Sequence, residues 1–252
     1  MNHALFRIDG DVAVVTGAGR GIGAGIAHVL AAAGARVVCA ARRAPEIEAV
    51  AQSIREAGGE AIAVATDVTD DAALEHLADS AVRTFGHLDI WVNNAGGSSL
   101  QAPLMQLARA EWDATLLLNL TAVWSATRVA AARMRDGGRV LNISSRAAEA
   151  VVPGSGHYCA AKAALNMLTQ VFARELGPRI RVNAIMPGMV PTEIAMTAMK
   201  LTDADLPRLQ KALRLPMERL GTPADLGAAA LFLVSPASSW ITGEVLSVSG
   251  GG

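Results

Sequence analysis

Short runs rich in valine and isoleucine recur along the chain, and most are apolar at every position instead of at alternate positions. A strand of this kind belongs to a sheet that is covered on both faces. The runs predict strands at Val12–Thr16, Arg36–Ala40, Ala61–Ala65, Ile90–Asn93, Arg139–Ser144, Ile180–Met186 and Val245–Val248.

Longer segments rich in alanine and leucine separate these runs and predict helices. They are Ile22–Ala33, Ile47–Ala57, Asp71–Phe85, Ala110–Met134, Tyr158–Leu176 and Pro223–Leu233. Repeated strand–helix–strand units with right-handed crossovers place helices on both faces of a mostly parallel sheet. The expected fold class is therefore α/β, with a doubly wound, Rossmann-type sheet of seven strands.

The chain has 252 residues and shows neither a linker of low complexity nor a repeat of fixed period. One hydrophobic core can serve a chain of roughly 250–300 residues. We therefore expect a single domain over residues 1–252. Its irregular zone, at about 188–220, contains Pro191, Pro207 and Pro216 and is expected to form an excursion of loops and helices.

Composition argues against several classes of function. The formal net charge is -1, which gives no electrostatic reason to expect a nucleic acid or an anionic membrane as partner. No run approaches the roughly 20 apolar residues that span a bilayer, and the first residues do not resemble a signal peptide, so we expect a cytoplasmic protein. Cys39 and Cys159 form no disulfide framework, and the histidines (His3, His28, His76, His87, His157) show no ligand spacing, so no metal site is expected.

The first predicted strand runs directly into a glycine-rich string, TGAGRGIG, at Thr16–Gly23. Glycines allow a tight turn and a close backbone approach to a diphosphate, and the following helix N-terminus offers free N–H groups. The alternative is an ordinary Gly-rich turn. The placement between a strand and a helix favours a dinucleotide site, with candidate residues Gly17, Gly19, Arg20, Gly21, Ile22 and Gly23.

The tip of the second strand indicates which dinucleotide is bound. An acid there would hold the 2′-hydroxyl of NAD, whereas Arg suits the 2′-phosphate of NADP. This strand ends in Ala41-Arg42-Arg43 with no acid at the tip, and Arg20 adds another cation. We therefore expect NADP(H) in preference to NAD. The alternative is that Arg42 and Arg43 only solvate a helix entry.

Two further strand ends carry candidate cofactor contacts. Asp67, followed by Val68, is expected to accept a hydrogen bond from the adenine amino group, with a helix N-cap as the alternative. Asn94, Ala95 and Gly96 follow the fourth strand, where a tight turn would form a wall beside the cofactor. The alternative there is a plain turn.

Tyr158 is the only tyrosine in the chain, and Lys162 lies four residues further on, so both belong to one helix face. A free tyrosine has a pKa of about 10, and a neighbouring ammonium is expected to lower that pKa. The pair would make an acid/base near neutral pH. The alternative is a surface pair.

Polar residues near the fifth strand and in the long helix complete the candidate site. Ser145 ends the strand and is expected to polarise a substrate carbonyl, although position alone barely separates it from Ser144. Asn119 lies among leucines, where a buried amide needs partners. It is expected to bind a backbone carbonyl or a water near Lys162, or else to bend the helix.

Taken together, these residues resemble the short-chain dehydrogenase/reductase family over the whole chain. The matching elements, in order, are TGAGRGIG, Asp67, NNAG at Asn93–Gly96, Asn119, Ser145, YCAAK at Tyr158–Lys162, and Pro187-Gly188 followed by Thr192. Ser249 departs from the pattern, since many members carry Asp there.

The resemblance implies a role for each matching residue. Tyr158 would be the acid/base, Lys162 would bind the cofactor ribose, Ser145 would orient the substrate, and Asn119 would support a proton-relay water. Pro187, Gly188, Val190 and Thr192 would lie against the nicotinamide.

The expected activity is NADP(H)-dependent hydride transfer with a small-molecule carbonyl or secondary alcohol. Within the family the chain resembles bacterial hydroxysteroid dehydrogenases and, nearly as well, 3-ketoacyl-carrier-protein reductases. Methionines and leucines of the excursion favour a bulky apolar substrate, unless they only pack the excursion on its own domain. They are Met189, Met196, Met199, Leu201, Leu206, Leu213, Leu215 and Met217.

Two further expectations remain. A non-catalytic nucleotide-binding regulator on the same fold is the alternative from another functional class. Family resemblance also implies a homo-oligomer, a tetramer built on the two long helices. Its candidate contacts, which could equally be core, are Trp112, Trp124, Leu165, Leu168 and Phe172.

Overall fold

The computed structural model describes residues 3–98 and 100–252. Seven strands form one sheet in the order β3-β2-β1-β4-β5-β6-β7, and every pairing is parallel. The strands are β1 Val12–Thr16, β2 Arg36–Ala41, β3 Glu60–Ala65, β4 Ile90–Asn93, β5 Gly138–Ile143, β6 Ile180–Pro187 and β7 Val245–Val248. The predicted fold class is confirmed.

Helices cover both faces of this sheet. They are α1 Gly21–Ala32, α2 Ala44–Glu56, α3 Asp71–Phe85, α4 Arg109–Leu116, α5 Ala122–Arg133, α6 Gly156–Leu176, α7 Glu193–Met199, α8 Leu206–Leu213 and α9 Pro223–Val234. One apolar core contains side chains of α1, α2 and α9, and a second core contains side chains of α3, α5 and α6.

Strand β1 shows why these runs lack a polar face. Ala13 and Val15 belong to the core beneath α1, α2 and α9, whereas Val12 and Val14 belong to the opposite core. Successive side chains of a strand point to opposite faces, so a strand between two cores must be apolar at every position.

The long helix predicted at Ala110–Met134 differs from the prediction. It begins at Arg109 as α4, passes through a π-helical turn at Leu117–Thr121 and continues as α5. Such a turn inserts one residue into the helical ladder and often marks a functional site. Asn119 lies inside this turn and is fully buried.

Smaller differences concern element ends. Helix α2 begins at Ala44 and not at Ile47, because Pro45 has the backbone angle of a first helical turn. Strand β5 ends at Ile143, so Ser144 and Ser145 both lie in the loop that follows it.

The excursion at 188–220 contains α7 and α8, in agreement with the predicted loops and helices. Lys200, Arg214 and Glu218 have positive φ angles of 53, 47 and 53°. They are the only non-glycine residues with positive φ in the described ranges. Such angles are unfavourable for residues with a side chain, so this segment is the least regular part of the backbone.

No helix within residues 3–98 and 100–252 is both long enough and apolar enough to cross a bilayer.

Candidate active site

A cavity of about 720 Å³ opens at the carboxyl ends of the strands, where the strand order reverses between β1 and β4. Ligands of doubly wound sheets bind in the crevice at this point. Tyr158, Lys162 and Ser145 line the cavity. So do all the residues predicted to bind the cofactor: Gly17, Gly19, Arg20, Gly21, Ile22, Gly23, Arg42, Arg43, Asp67, Val68, Asn94, Ala95, Gly96, Pro187, Gly188, Val190 and Thr192.

The hydroxyl of Thr16 joins the two strands at the floor of the cavity. It donates to the Val92 carbonyl at 3.1 Å and accepts the backbone N–H groups of Asn94 and Ala95, both at 3.0 Å. The Asn94 amide donates to the carbonyls of Thr16 and Gly17 at 2.8 and 3.2 Å. The Asn94 side chain is thus used to hold β1 against β4, a role that the sequence analysis missed.

The glycine-rich loop leaves room only for bare backbone. A Cβ atom on Gly23 would lie 2.2 Å from the Gly17 carbonyl oxygen and 2.4 Å from the Asn94 amide nitrogen, so no side chain fits there. Arg20 precedes the first turn of α1, and no side chain caps that turn. The unpaired N–H groups of the helix therefore face the cavity as a ready anion site.

A buried polar network fixes the strands relative to the helices behind them. The Asn93 amide donates to Asn142 on β5 at 2.9 Å and to Thr127 on α5 at 3.2 Å. The Asn142 amide donates to Thr169 on α6 at 2.9 Å. Because each of these groups is at least 96% buried, its hydrogen bonds set the height of α6 on the sheet.

The three predicted phosphate-binding arginines have different surroundings. Arg20 forms an ion pair with Glu193 at the start of α7, and Arg43 pairs with Glu46 at 2.7 Å. Arg42 forms no ion pair with any residue that the structure describes. Of the three, Arg42 is therefore the cation whose charge is available to a ligand.

Asp67 forms an Asx turn and is not a helix cap. Its Oδ1 accepts the backbone N–H of Thr69 at 3.0 Å and the Thr69 hydroxyl at 2.7 Å. These hydrogen bonds, with a smaller effect of Arg42, hold the pKa of Asp67 below its ordinary value. Asp70 caps α3 by accepting the Ala72 N–H, and Val68 is buried at the cavity wall.

Helix α6 carries Tyr158 in its first turn and Lys162 one turn later. The Lys162 ammonium donates to the Ile143 carbonyl at 2.9 Å, and its Nζ lies 5.7 Å from the centre of the Tyr158 ring. The pair is therefore not on the outer surface: Lys162 is 4% exposed, at the inner end of the cavity.

Burial dominates the protonation of both groups. It raises the pKa of Tyr158, and a hydrogen bond from the Ser145 hydroxyl lowers that pKa in part. Burial also lowers the pKa of Lys162 to about 8. The Tyr158 pKa thus moves in the opposite direction to the sequence prediction, because burial outweighs the Ser145 hydrogen bond. The Lys162 ammonium donates to the Ile143 carbonyl instead.

Ser144 and Ser145 differ clearly in their contacts. The Ser144 hydroxyl is 4% exposed and donates to the Asn166 side chain at 2.6 Å. Ser145 accepts the Ala147 N–H at 3.1 Å and lies within hydrogen-bond reach of Tyr158. Ser144 therefore ties the strand end to α6, and Ser145 faces the candidate acid/base.

Asn119 lies behind the cavity wall and does not line it. Its Oδ1 accepts the Gly97 N–H at 2.8 Å, and its Nδ2 donates to the carbonyls of Gly97 and Thr115, each at 3.0 Å. A Cβ on Gly96 would lie 2.8 Å from Asn119 Oδ1 and 3.4 Å from Lys162 Nζ. The side chain thus clamps the loop after β4, and its bonds to backbone carbonyls are of the kind that the sequence analysis expected.

His157 lies in the first turn of α6. It is fully buried beside Tyr158, and its Nε2 lies 3.2 Å from the Ser98 hydroxyl at the cavity wall. Its Nδ1 has no partner among the described residues, and burial lowers the pKa of the ring. The neutral imidazole therefore supports the wall of the cavity on the side of Ser98.

The part of the chain that the structure describes holds no group of three or more His, Cys, Asp or Glu side chains suited to a metal ion. The side chain of His3 lies outside that description.

Comparisons with known proteins agree with this geometry. The family described as enoyl-(acyl carrier protein) reductase matches residues 17–252. The 7alpha-hydroxysteroid dehydrogenase of Escherichia coli K12 is 39% identical over 254 residues, covering 100% of this chain and 97% of the relative. The D-threitol dehydrogenase of Mycolicibacterium smegmatis is 38% identical over 249 residues, covering 98% and 94%.

A solved 7 alpha-hydroxysteroid dehydrogenase, in complex with NADH and 7-oxo glycochenodeoxycholic acid, superposes with a TM-score of 0.93. It is 38% identical and covers 100% of this chain and 98% of its own. The chain belongs to the short-chain dehydrogenase/reductase family, which confirms the resemblance found in the sequence. It is an oxidoreductase that acts on an alcohol or a carbonyl group, in a family that binds a nicotinamide cofactor.

The depressed pKa of Lys162 predicts a pH-dependent stability. The folded protein disfavours the ammonium, so the full cost of burying it is present below pH 8 and disappears as the pH rises towards 10.5. Lys162→Met should therefore gain stability relative to the wild type below pH 8, by about 2–3 kcal/mol more than at pH 10.5.

Urea denaturation of both proteins between pH 7 and pH 10.5 measures this difference. Lys211→Met, which removes an exposed ammonium, is the control and should show little change. A gain from Lys162→Met that stays constant over this pH range would contradict the prediction.

Proposed function

We propose that the protein is an NADP(H)-dependent oxidoreductase of bulky apolar ketones and secondary alcohols, with Tyr158 as its acid/base. The observation that carries the proposal is the shared cavity. Tyr158, Lys162 and Ser145 meet at one end, and the glycine-rich loop and the unpaired Arg42 lie at the other. A dinucleotide in this cavity would have its phosphates at the loop and its nicotinamide near Tyr158.

The residues present suit a nicotinamide dinucleotide. The backbone of the loop is bare at Gly23, α1 presents uncapped N–H groups, and Arg42 offers a free guanidinium. When bound, the nicotinamide supplies or accepts the hydride at the substrate carbon. We assign Pro187, Gly188, Val190 and Thr192 to the wall beside it, and Asp67 and Val68 to the adenine end.

In the direction of reduction, the Tyr158 phenol donates a proton to the substrate oxygen. The raised pKa of Tyr158 keeps the phenol protonated at neutral pH, as a general acid requires. Ser145 holds the same oxygen by a hydrogen bond that strengthens as negative charge develops on it. In the direction of oxidation Tyr158 takes the proton from the alcohol, which requires its phenolate to form first. Lys162 is the cation beside it, with its Nζ 5.7 Å from the centre of the ring.

Asn119 contributes to this chemistry by holding the loop after β4 in place. Its amide fixes Gly97, and thereby the backbone of Gly96 next to Lys162. Both N–H groups of the Asn119 amide already donate to backbone carbonyls, so a relay water would be held by the second lone pair of Oδ1 or by the main chain of the π-helical turn.

Selectivity for the 2′-phosphate rests on Arg42 in this proposal. Arg43 is already neutralised by Glu46, and β2 ends without an acid that would favour the 2′-hydroxyl of NAD. The relative solved with NADH shows that NAD chemistry occurs in the family, so the choice needs a direct test.

Arg42→Ala should weaken NADPH binding about tenfold or more and leave NADH binding nearly unchanged, because only NADPH loses a charge-assisted hydrogen bond. Fluorescence titration of the purified protein with each cofactor measures both constants. Arg43→Ala is the matched control and should change the ratio less. Equal losses for the two cofactors, or a larger effect of Arg43→Ala, would refute the assignment to Arg42.

The substrate end of the cavity is mainly apolar. Its wall includes Leu117, Leu118, Val152, Met189 and Met199, with Ser98 as a polar group. Of these, Leu117, Val152 and Met199 are 43, 37 and 42% exposed, so an apolar substrate has apolar surface to contact as it enters. These side chains favour a hydroxysteroid-like substrate over a small polyol such as the one named for the threitol dehydrogenase.

Reduction of a 7-oxo bile acid with NADPH should therefore exceed oxidation of D-threitol with NADP, compared as kcat/KM. Tyr158→Phe should lose at least about a hundredfold in kcat and still bind NADPH, because the general acid alone is removed. A 3-ketoacyl thioester tests the alternative substrate class. A higher kcat/KM for D-threitol would refute the apolar-substrate proposal. Unchanged turnover by Tyr158→Phe would refute the mechanism.

We further propose that the chain works as a single domain in the cytoplasm and as a homotetramer. Leu165 and Phe172 are buried in its own core, but Trp124, Met167 and Val171 are 43, 61 and 41% exposed on α5 and α6. Burying this apolar area against a second copy favours association. Sedimentation of the purified protein should give the mass of a tetramer, and a monomer would contradict it.

A further inference from the structure

The ion pair between Arg20 and Glu193 links two parts of the cavity that have different roles. Arg20 belongs to the glycine-rich loop and immediately precedes α1. Glu193 is the first residue of α7, in the excursion at 188–220. Both side chains line the cavity, so the pair connects the candidate phosphate site to the segment beside the substrate.

The start of α7 also lies directly on the glycine-rich loop. A Cβ atom on Gly21 would be 3.0 Å from the Cγ2 atom of Thr192, the residue before Glu193. The Glu193 carboxylate is therefore held next to the backbone that would bind the negatively charged phosphates of a dinucleotide. A carboxylate is an unfavourable neighbour for a phosphate, because like charges repel at this range.

A guanidinium that pairs with a carboxylate offers the same planar fork to a phosphate. The ion pair uses Nη1 of Arg20, so a phosphate that takes this edge of the guanidinium must displace the carboxylate. The Glu193 side chain is 66% exposed, so it can turn into solvent when the guanidinium changes partner. Nothing in the packing of Glu193 prevents this exchange, since its carboxylate has no other hydrogen-bond partner among the described residues.

We propose that Glu193 competes with a phosphate group of the cofactor for Arg20, and that it thereby weakens cofactor binding. In the cofactor-free protein the pair holds α7 against the glycine-rich loop. Binding transfers the guanidinium from the carboxylate to the phosphate and releases α7 from that tie. This inference rests on the proposed use of a nicotinamide dinucleotide. An ordinary binding residue strengthens cofactor binding, whereas Glu193 is assigned the opposite effect.

Glu193→Gln removes the competing charge and keeps the shape of the side chain. Exposed ion pairs are weak, so the variant should bind its cofactor about two- to fivefold more tightly than the wild type. Equilibrium fluorescence titration with NADPH and with NADH gives the dissociation constants without any turnover. Glu244→Gln makes the same change in net charge at an exposed position outside the cavity, and it should bind like the wild type.

The two cofactors identify which phosphate takes Arg20. A gain for NADPH alone assigns the exchange to the 2′-phosphate, and an equal gain for both assigns it to the diphosphate. In the background of Arg20→Gln, the gain from Glu193→Gln should be clearly smaller, because the carboxylate then has no guanidinium to withhold and only its direct repulsion of the phosphate remains.

Three results would overturn the inference: unchanged binding in Glu193→Gln, weaker binding in that variant, or the same gain with and without Arg20. The last would mean that Glu193 acts by long-range repulsion only. A wild-type protein that binds neither NADPH nor NADH would instead refute the proposed function itself.

Discussion

The junction between β1 and β4 determines the rest of the site. The strand order reverses there, and the Thr16 hydroxyl binds both strand ends while the Asn94 amide returns to the β1 backbone. Without these bonds the loops after the two strands would be free to close over the crevice or to separate. With them, the glycine-rich loop lies opposite the turn that packs on Asn119. The sheet then sets the distance between this loop and the end of the cavity that holds Tyr158.

The reacting end is assembled at a cost in stability. Burying the Lys162 ammonium lowers its pKa to about 8, and burying Tyr158 raises the pKa of the phenol, so burial disfavours the charged form of each group. The bond from Lys162 to the Ile143 carbonyl offsets only part of this. Perturbed groups at the inner end of a cavity are a common property of catalytic sites. The network through Asn93, Asn142 and α6 supports the helix that carries them.

Much of this arrangement could be predicted from the sequence, because parallel topology brings the ends of all strands to one edge. Knowing the strands was enough to place Asp67, Asn94 and Ser145 around one cavity with the glycine-rich loop. What could not be predicted depends on distances between side chains. Ser144 and Ser145 are neighbours in sequence, yet Ser144 reaches Asn166 and Ser145 reaches Tyr158. The π-helical turn at Asn119 depends on a bond to Gly97, 22 residues away, which no local pattern records.

The charged side chains at the cofactor end also could not be predicted in full from the sequence, because their ion pairs depend on tertiary contacts. Counting arginines in the sequence suggests three equivalent phosphate ligands, since Arg20, Arg42 and Arg43 all face one cavity. Tertiary contacts make them unequal: a carboxylate one turn away in α2 neutralises Arg43, and a carboxylate 173 residues away neutralises Arg20. Electrostatic attraction for a phosphate depends on the uncompensated charge and not on the number of cations. Under the proposed function, the free energy of cofactor choice is therefore concentrated on Arg42, and under the further inference Arg20 contributes only after Glu193 releases it.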